Sequence, residues 1–266
     1  MTDMLPPAGR RSLVHMQGYR RAADRHLRAA ATRMILGATL LLAACQSLPP
    51  PAPGAAPEAA WPDLAVTYRA QAASATVYAL DPAASQVRIY VYRAGAAARF
   101  GHNHVLTVPR FEGYVAVPGD DASAAHFELR VPLEALVVDE PAARADTGGS
   151  FAGVRSEADI AGTRANMLGE RGLDAARFPQ MRLRSLAVEG DWPRLLARVA
   201  VTLHGVTHEE PVALTVTREA GRLHVAGTLI LRQRDYGIEP FSALGGLLQV
   251  QDAVTVDFAL TGAVSG

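Results

Sequence analysis

The chain has 266 residues, enough for one large domain or two small ones with a sizeable core. All 26 basic residues are arginine and they balance 26 acidic residues, but seven of the arginines precede residue 45. The rest of the chain has 19 arginines against 24 acidic residues, a net charge of about −5. Such an acidic body excludes a typical nucleic-acid-binding protein, which presents a basic surface to phosphate.

The N-terminal segment has the features of a bacterial secretory signal. An arginine-rich stretch leads into an apolar run at residues 34–44, which is too short to cross a bilayer as a helix. Leu-Ala-Ala at residues 42–44 followed by Cys45 resembles the bacterial lipobox, in which the cysteine is diacylated and becomes the mature N-terminus. We therefore predict a signal peptide over residues 1–44 and lipidation of Cys45. Gln46 is not the aspartate of an inner-membrane retention signal, so we expect a periplasm-facing lipoprotein of the outer membrane.

The next segment is rich in proline and alanine. Six prolines lie between residues 46 and 62. Such a composition cannot build a core and favours an extended, semi-rigid chain. We predict that residues 45–75 form a tether and that residues 76–266 form the folded domain.

From residue 76 onwards the sequence alternates apolar and polar residues, which is typical of strands with one buried face. A change of phase near residue 185 predicts a β-bulge. The pattern indicates one helix, at residues 156–168, with Ser156 as its N-cap and Gly169 at its end. Antiparallel strands at such short spacing predict an all-β sandwich or a closed barrel, and the pattern leaves that choice open. The predicted strands are residues 76–80, 85–93, 111–117, 127–131, 181–188, 199–203, 212–217, 223–232 and 254–261.

Two pairs of histidines are candidate metal ligands. His102 and His104 lie two residues apart. His204 and His208 lie in the predicted turn between the strands at residues 199–203 and 212–217, which together we call the central hairpin. Together they could supply four nitrogen atoms to zinc and support a metal-dependent hydrolase. The alternative is that these histidines only bind loop backbone, and the sequence holds no HExxH motif.

Other catalytic arrangements find little support. The chain lacks a G-x-S-x-G elbow, and its single cysteine is the predicted lipidation site. The adjacent acids Asp139-Glu140 and Glu209-Glu210 would point to opposite faces of a strand, so neither pair converges on one substrate. We interpret both pairs as solvated turns and predict a protein that is not an enzyme and has no metal or other cofactor.

The strands leave an apolar interior, and this is the candidate ligand site. Such a set of residues ordinarily forms a solid core, but a barrel of eight strands can also enclose one small ligand. The candidate lining residues are Val87, Ile89, Val91, Phe111, Phe127, Leu129, Met167, Phe178, Met181, Leu183, Leu229, Leu231, Phe241, Leu244, Val256 and Phe258.

Several motifs resemble those of one bacterial family. Residues 201–207 (VTLHGVT) are similar to a G-x-L-T-x-H-G-V-T hairpin. Residues 173–185, with Phe178-Pro179, resemble an L-x-S-x-x-F-P-x-I-x-F-x-S segment, and the segment from Arg232 to Tyr236-Gly-Ile resembles R-S-D-F-G-I with tyrosine in place of phenylalanine. On these motifs residues 76–264 resemble the YceI-like family, the periplasmic polyisoprenoid-binding proteins.

The resemblance implies an antiparallel lipocalin-like β-barrel with one inserted helix and a hydrophobic tunnel. It implies non-enzymatic binding of an isoprenoid-type lipid, such as a polyprenyl quinone. Our own hypothesis places the polar head at the mouth of the barrel, near His102, Arg164 or Arg232. Two alternatives stay open from the residues themselves. One is the metal-dependent hydrolase, and the other is a solid-core structural or interaction module of the cell envelope.

Overall fold

The computed structural model describes residues 63–265, and the predicted signal peptide, Cys45 and most of the tether lie outside the described residues. Within residues 63–265 the chain forms fourteen strands and three α-helices. The helices are α1 (Leu64–Arg69), α2 (Pro141–Thr147) and α3 (Glu157–Leu168). The strands are β1 (Thr76–Leu80), β2 (Gln86–Val91), β3 (Arg93–Ala94), β4 (His104–Thr107), β5 (Glu112–Val117), β6 (His126–Pro132), β7 (Val137–Val138), β8 (Gln180–Asp191), β9 (Arg194–Leu203), β10 (Val206–Glu219), β11 (Arg222–Arg232), β12 (Ser242–Ala243), β13 (Leu248–Val250) and β14 (Ala253–Val264).

Eight of the described strands close into an antiparallel barrel. Their order around the ring is β1-β5-β6-β8-β9-β10-β11-β14, and β14 pairs back onto β1. Closure leaves no edge strand in the ring, so every neighbouring pair is joined by backbone hydrogen bonds. The choice that the sequence left open is therefore settled in favour of the barrel, as the family resemblance implied.

The strand β14 also carries a side branch of the sheet. The C-terminal half of β14 pairs with β1, where Tyr78 faces Val264, whereas its N-terminal half pairs with β2, where Ile89 faces Val256. Beyond β2 the sheet continues through β4 to β7. The strands β1 and β2 therefore pair with successive halves of the same edge of β14. The pairing with β2 extends the wall of the barrel beyond the closed ring at one end.

The central hairpin and the bulge are confirmed. The strands β9 and β10 pair continuously from Leu203 and Val206 at the turn to Arg194 and Thr215. His204 and Gly205 make the turn in left-handed conformations, with φ of 53° and 74°. The register of β8 against β9 shifts between Ser185 and Ala187, where the change of phase in the sequence predicts the extra residue.

The inserted segment holds two helices. The predicted helix is confirmed as α3, and the Ser156 hydroxyl accepts a hydrogen bond of 3.1 Å from the Asp159 amide. The sequence pattern does not indicate α2, which is short, starts at Pro141 and ends before Gly148 in a left-handed conformation. None of the helices within residues 63–265 is long and apolar enough to cross a bilayer.

The end of the predicted tether is folded. The helix α1 is capped by Asp63 and packs Leu64 and Tyr68 onto Val77 and Ala116, forming a small core outside the barrel. Tyr68 is only 4% exposed and stacks on Tyr114. The expectation of an extended chain is wrong for residues 64–69, because apolar side chains spaced four apart gain burial on the outer face of β5.

Candidate functional site

The barrel encloses a cavity of about 810 Å³. This volume lies in the range of pockets that hold small organic ligands. Fourteen of the sixteen predicted residues line it. They are Val87, Ile89, Val91, Phe111, Phe127, Leu129, Met167, Met181, Leu183, Leu229, Leu231, Phe241, Val256 and Phe258.

Two predicted lining residues lie elsewhere. Leu244 is 71% exposed, in a turn between β12 and β13. Phe178 is buried, but it packs on the hairpin turn rather than on the cavity. Both belong to irregular segments, where an apolar residue gives no information on the direction of its side chain.

The prediction also missed part of the wall. The strands β9 and β10 contribute six aliphatic side chains to the lining, and all of them follow the alternation of the central hairpin. The same period-two pattern that located the strands was sufficient to assign these side chains to the interior. They are Leu195, Val199, Leu203, Val212, Leu214 and Val216.

The two ends of the barrel differ in their connections. At the end that we call the short-turn end, the turns between β8 and β9 and between β10 and β11 are tight, and Trp192 lines the cavity. At the other end, which we call the long-loop end, residues 133–179 and 233–252 connect the strands. Phe241 lines the cavity there and is 45% exposed, so the cavity reaches the surface at the long-loop end.

Polar side chains contact the cavity at the long-loop end. They come from β4, from α3 and the turn after it, from the turn between β9 and β10, and from the segment after β11. An apolar chain in the barrel would therefore end among hydrogen-bonding groups. These side chains are His104, Thr163, Asn166, Glu170, Arg171, His204, Gln233, Glu239 and Ser242.

One of these groups is held by a buried ionic network. The Nδ1 atom of His104 lies 2.6 Å from Oδ2 of Asp139, and Oδ1 of Asp139 accepts a hydrogen bond of 2.5 Å from Nη1 of Arg144. The side chains of Asp139 and Arg144 are 1% and 3% exposed. Arg144 also donates to the backbone carbonyls of Asn103 and Gly153, at 3.0 and 2.9 Å. The interpretation of Asp139 as part of a solvated turn is therefore wrong.

The same network fixes the charge of Asp139. Burial acts to raise the pKa of this carboxyl group, but hydrogen bonds from His104, Arg144 and the Val105 amide outweigh burial and hold the pKa below its ordinary value. Asp139 has a φ of 54°, a left-handed conformation that costs energy for a residue other than glycine. Its carboxylate is thus ionised and held in place at neutral pH.

The four histidines of the metal hypothesis do not form one cluster. Within residues 63–265 no group of three or more histidine, cysteine or acidic side chains is arranged to hold a metal ion. The side chain of His102 is largely exposed. Its remaining desolvation, followed by the nearby charge of Arg155, lowers the pKa of its imidazole. Nδ1 of His204 lies 3.1 Å from the carbonyl of Tyr236, and the ring of His208 packs edge-on against the Tyr236 ring. The contact of His204 with a backbone carbonyl agrees with the alternative interpretation, whereas His208 packs against a side chain.

The three residues expected near a polar head do not line the cavity. Arg164 bonds the carbonyls of Leu136 and Glu134 and so braces α3 against the inserted segment. Arg232 lies on the outer face of β11, and His102 is exposed. His104, which the prediction treated only as a metal ligand, is the residue of this region that reaches the interior.

A comparison with known protein families shows to which family the chain belongs. A model of the YceI-like domain matches residues 78–262, most of the described chain. The chain belongs to this family.

The chain is also similar to solved structures, and the first of those below supports the fold. Burkholderia cenocepacia BcnA has a TM-score of 0.51 and 14% identity, over 68% of this chain and 98% of that one. A polyisoprenoid binding domain from Saccharophagus degradans implicated in plant cell wall breakdown has a TM-score of 0.48 and 16% identity, over 71% and 99%. The Campylobacter jejuni YCEI protein has a TM-score of 0.46 and 8% identity, over 60% and 85%. No match is found among curated protein sequences.

The YceI-like motifs of this chain meet at the long-loop end. The ring of Phe178 lies 4.9 Å from the ring of His204, whose Nδ1 bonds the Tyr236 carbonyl. A side chain at Gly205 would place its Cβ 2.6 Å from the Phe178 ring, so the turn requires glycine. Tyr236 is fully buried, and its hydroxyl donates to Glu210 at 3.2 Å, which with burial raises its pKa above the usual range. The motifs thus build the rim of the barrel.

Proposed function

We propose that this protein is a binding protein, not an enzyme, that holds the apolar chain of an isoprenoid-type lipid inside its barrel. The observation that carries the proposal is the cavity of about 810 Å³ with its aliphatic and aromatic wall. Membership of the YceI-like family supports the isoprenoid class, which the motifs of the sequence also favour.

The energetics of the wall support a long apolar ligand. Burial of each methylene group contributes about 0.8 kcal/mol, so affinity rises with chain length without directional partners. A solid-core module would fill the interior with its own side chains, whereas here the interior is hollow along the barrel from Trp192 to Phe241. The cavity therefore favours the carrier over the structural alternative.

The anchoring of the barrel is a second part of the proposal. The lipobox-like segment before Cys45 supports a diacylated N-terminus at the outer membrane, with the barrel in the periplasm. Mass spectrometry of the mature protein tests this part separately. We expect an acylated Cys45 as the first residue, and an unmodified peptide that reads through Cys45 contradicts it.

Neighbouring residues on β11 offer a matched test of lipid binding. Leu229 lines the cavity, whereas Ile230 is 56% exposed on the outer face. We expect Leu229→Trp to displace part of the apolar chain. Loss of room for about two methylene groups costs about 1.6 kcal/mol, which is roughly a fifteenfold loss of affinity. Ile230→Trp keeps the affinity of the wild type.

The measurement is equilibrium binding of a fluorescent prenyl chain to delipidated protein. Thermal unfolding of both variants establishes that each is folded at the assay temperature. Equal affinities of the two variants, or the absence of binding to the wild type, contradict the proposal.

A further inference from the structure

His104 is distinguished among the polar groups that reach the cavity. Its ring lines the interior, and its Nδ1 atom is held by Asp139. An ionised carboxylate can only accept hydrogen bonds, so Nδ1 must carry the proton of this contact. In the neutral imidazole the other nitrogen, Nε2, is then a hydrogen-bond acceptor with a lone pair.

The arrangement around His104 fixes this tautomer. Asp139 is bound through Oδ1 by Arg144 at 2.5 Å and by the Val105 amide at 3.1 Å, which leaves Oδ2 for His104. Arg144 is in turn held by the carbonyls of Asn103 and Gly153. A buried charged pair is costly unless its groups are bonded, and these contacts meet that requirement. The contact with Asp139 uses Nδ1 of His104, so we infer that Nε2 serves the cavity that this residue lines.

The position of His104 suits the end of a ligand. It begins β4, where His104 pairs with Val91, a lining residue at the long-loop end. Along the barrel the wall is apolar, and the polar groups gather where the cavity meets the surface. A ligand whose chain occupies the barrel therefore presents its head near His104.

We propose that Nε2 of His104 accepts a hydrogen bond from a hydroxyl group on the ligand head, so that the barrel selects isoprenoid alcohols over heads that cannot donate. Asp139 is the positioning residue, since it holds the ring and its tautomer through Nδ1. This inference rests on the proposed lipid binding, and it adds the chemistry of the head group to it.

The other histidine at the cavity is His204. It also lines the cavity, and its Nδ1 bonds the Tyr236 carbonyl. A backbone carbonyl carries no net charge, whereas Asp139 is an anion, and a hydrogen bond to a charged partner is about twice as strong as a neutral one. His104 is therefore the stronger acceptor and the better oriented one.

The test uses two probes, farnesol and its methyl ether, which share one chain but differ in the ability to donate. Binding of both to the delipidated full chain is measured in the same buffer at pH 8. We expect the wild type to bind the alcohol about three- to tenfold more tightly, the usual effect of one hydrogen bond. This comparison needs no variant.

Variants assign the preference to a residue. We expect His104→Phe to lose the preference for the alcohol over the methyl ether. His204→Phe, the matched control, keeps the preference. In Asp139→Asn the side-chain amide can donate a hydrogen bond to Nδ1, and Nε2 then carries the proton and becomes a donor. We therefore expect the affinity for the methyl ether to rise relative to the affinity for the alcohol. A purely structural role of Asp139 would weaken both probes equally.

The outcomes separate the two proposals. Equal binding of both probes to the wild type overturns the role of His104 and leaves lipid binding intact. A preference that survives in His104→Phe, or that disappears in His204→Phe, also overturns it. Binding of neither probe to the wild type contradicts lipid binding itself, and the role of His104 with it.

Discussion

The two ends of the barrel close the same wall by different means. At the short-turn end the Trp192 indole donates to the Asp120 carbonyl at 2.9 Å, and Arg218 lies over its ring at 4.3 Å. These groups lie near solvent, and the Asp120 side chain is fully exposed. At the long-loop end Asp139 and Arg144 of α2 are buried, and their network reaches the cavity through His104. The short-turn end contributes the Trp192 indole to the cavity, whereas the long-loop end contributes ionisable and hydrogen-bonding side chains.

The difference teaches where the ligand specificity of such a barrel can lie. The strands supply a wall that is apolar along its length, and a tight turn has no room for a buried polar network. A long connection can fold over the end and bury its own charges. Here residues 133–179 supply Asp139, Arg144 and α3, all at the same end.

The largest expected effect comes from breaking the buried ion pair. Arg144→Ala leaves the Asp139 carboxylate without its cation in a buried site, and we expect a loss of about 3–5 kcal/mol in the free energy of unfolding. Arg218→Ala at the short-turn end is the matched control, and we expect a loss below about 1 kcal/mol. Urea unfolding measures both. Similar losses at the two ends would show that the contrast between them is wrong.

The pH dependence of stability tests the ionised network at the long-loop end. Because the pKa of Asp139 is lowered in the folded protein, its ionisation stabilises the fold above the unfolded pKa of about 4, and this stabilisation is lost as the pH falls through the lower folded value. We expect the stability difference between the wild type and Asp139→Asn to be largest near neutral pH and to shrink below about pH 4. A difference that stays constant from pH 7 to pH 3 contradicts the ionised network. Thermal unfolding over this pH range is the measurement.

The smallest effect concerns the helix at the cavity. Ser156→Ala removes the N-cap bond of α3, which costs about 1 kcal/mol. Thr163, Asn166 and Met167 of this helix line the cavity. We therefore expect faster amide hydrogen exchange along α3 with little change in the strands. Uniform acceleration across the barrel would contradict the view of α3 as a separate cover at the long-loop end.

Local patterns predicted the wall of the barrel well. Alternation located the strands, the bulge near Ser185 and twelve of the sixteen named lining residues, because each side of a strand has a regular environment. Met167 on α3 and Phe241 in an irregular segment also line the cavity, but strand alternation did not locate them. The family motifs added closure, which alternation cannot distinguish from a sandwich. The prediction failed for Phe178 and Leu244, which lie outside regular strands.

The polar network could not be predicted in the same way. It joins His104 to Asp139 across 35 residues and depends on a left-handed conformation at Asp139, which no periodicity reveals. The short helix α2, which carries Arg144, has no amphipathic pattern long enough to indicate it. The helix α1 was not predicted because the tether as a whole is rich in proline. Leu64 and Tyr68 become buried only through contact with the outer face of β5, which local composition does not indicate.

Native mass spectrometry of the protein purified from a bacterial envelope tests the central claim most directly. We expect a mass excess over that of the same protein after extraction with organic solvent, released as a prenyl lipid, and absent or reduced in Leu229→Trp but not in Ile230→Trp. A protein whose mass is unchanged by extraction, and which takes up no prenyl chain when it is supplied, would contradict the claim that the barrel is a lipid carrier.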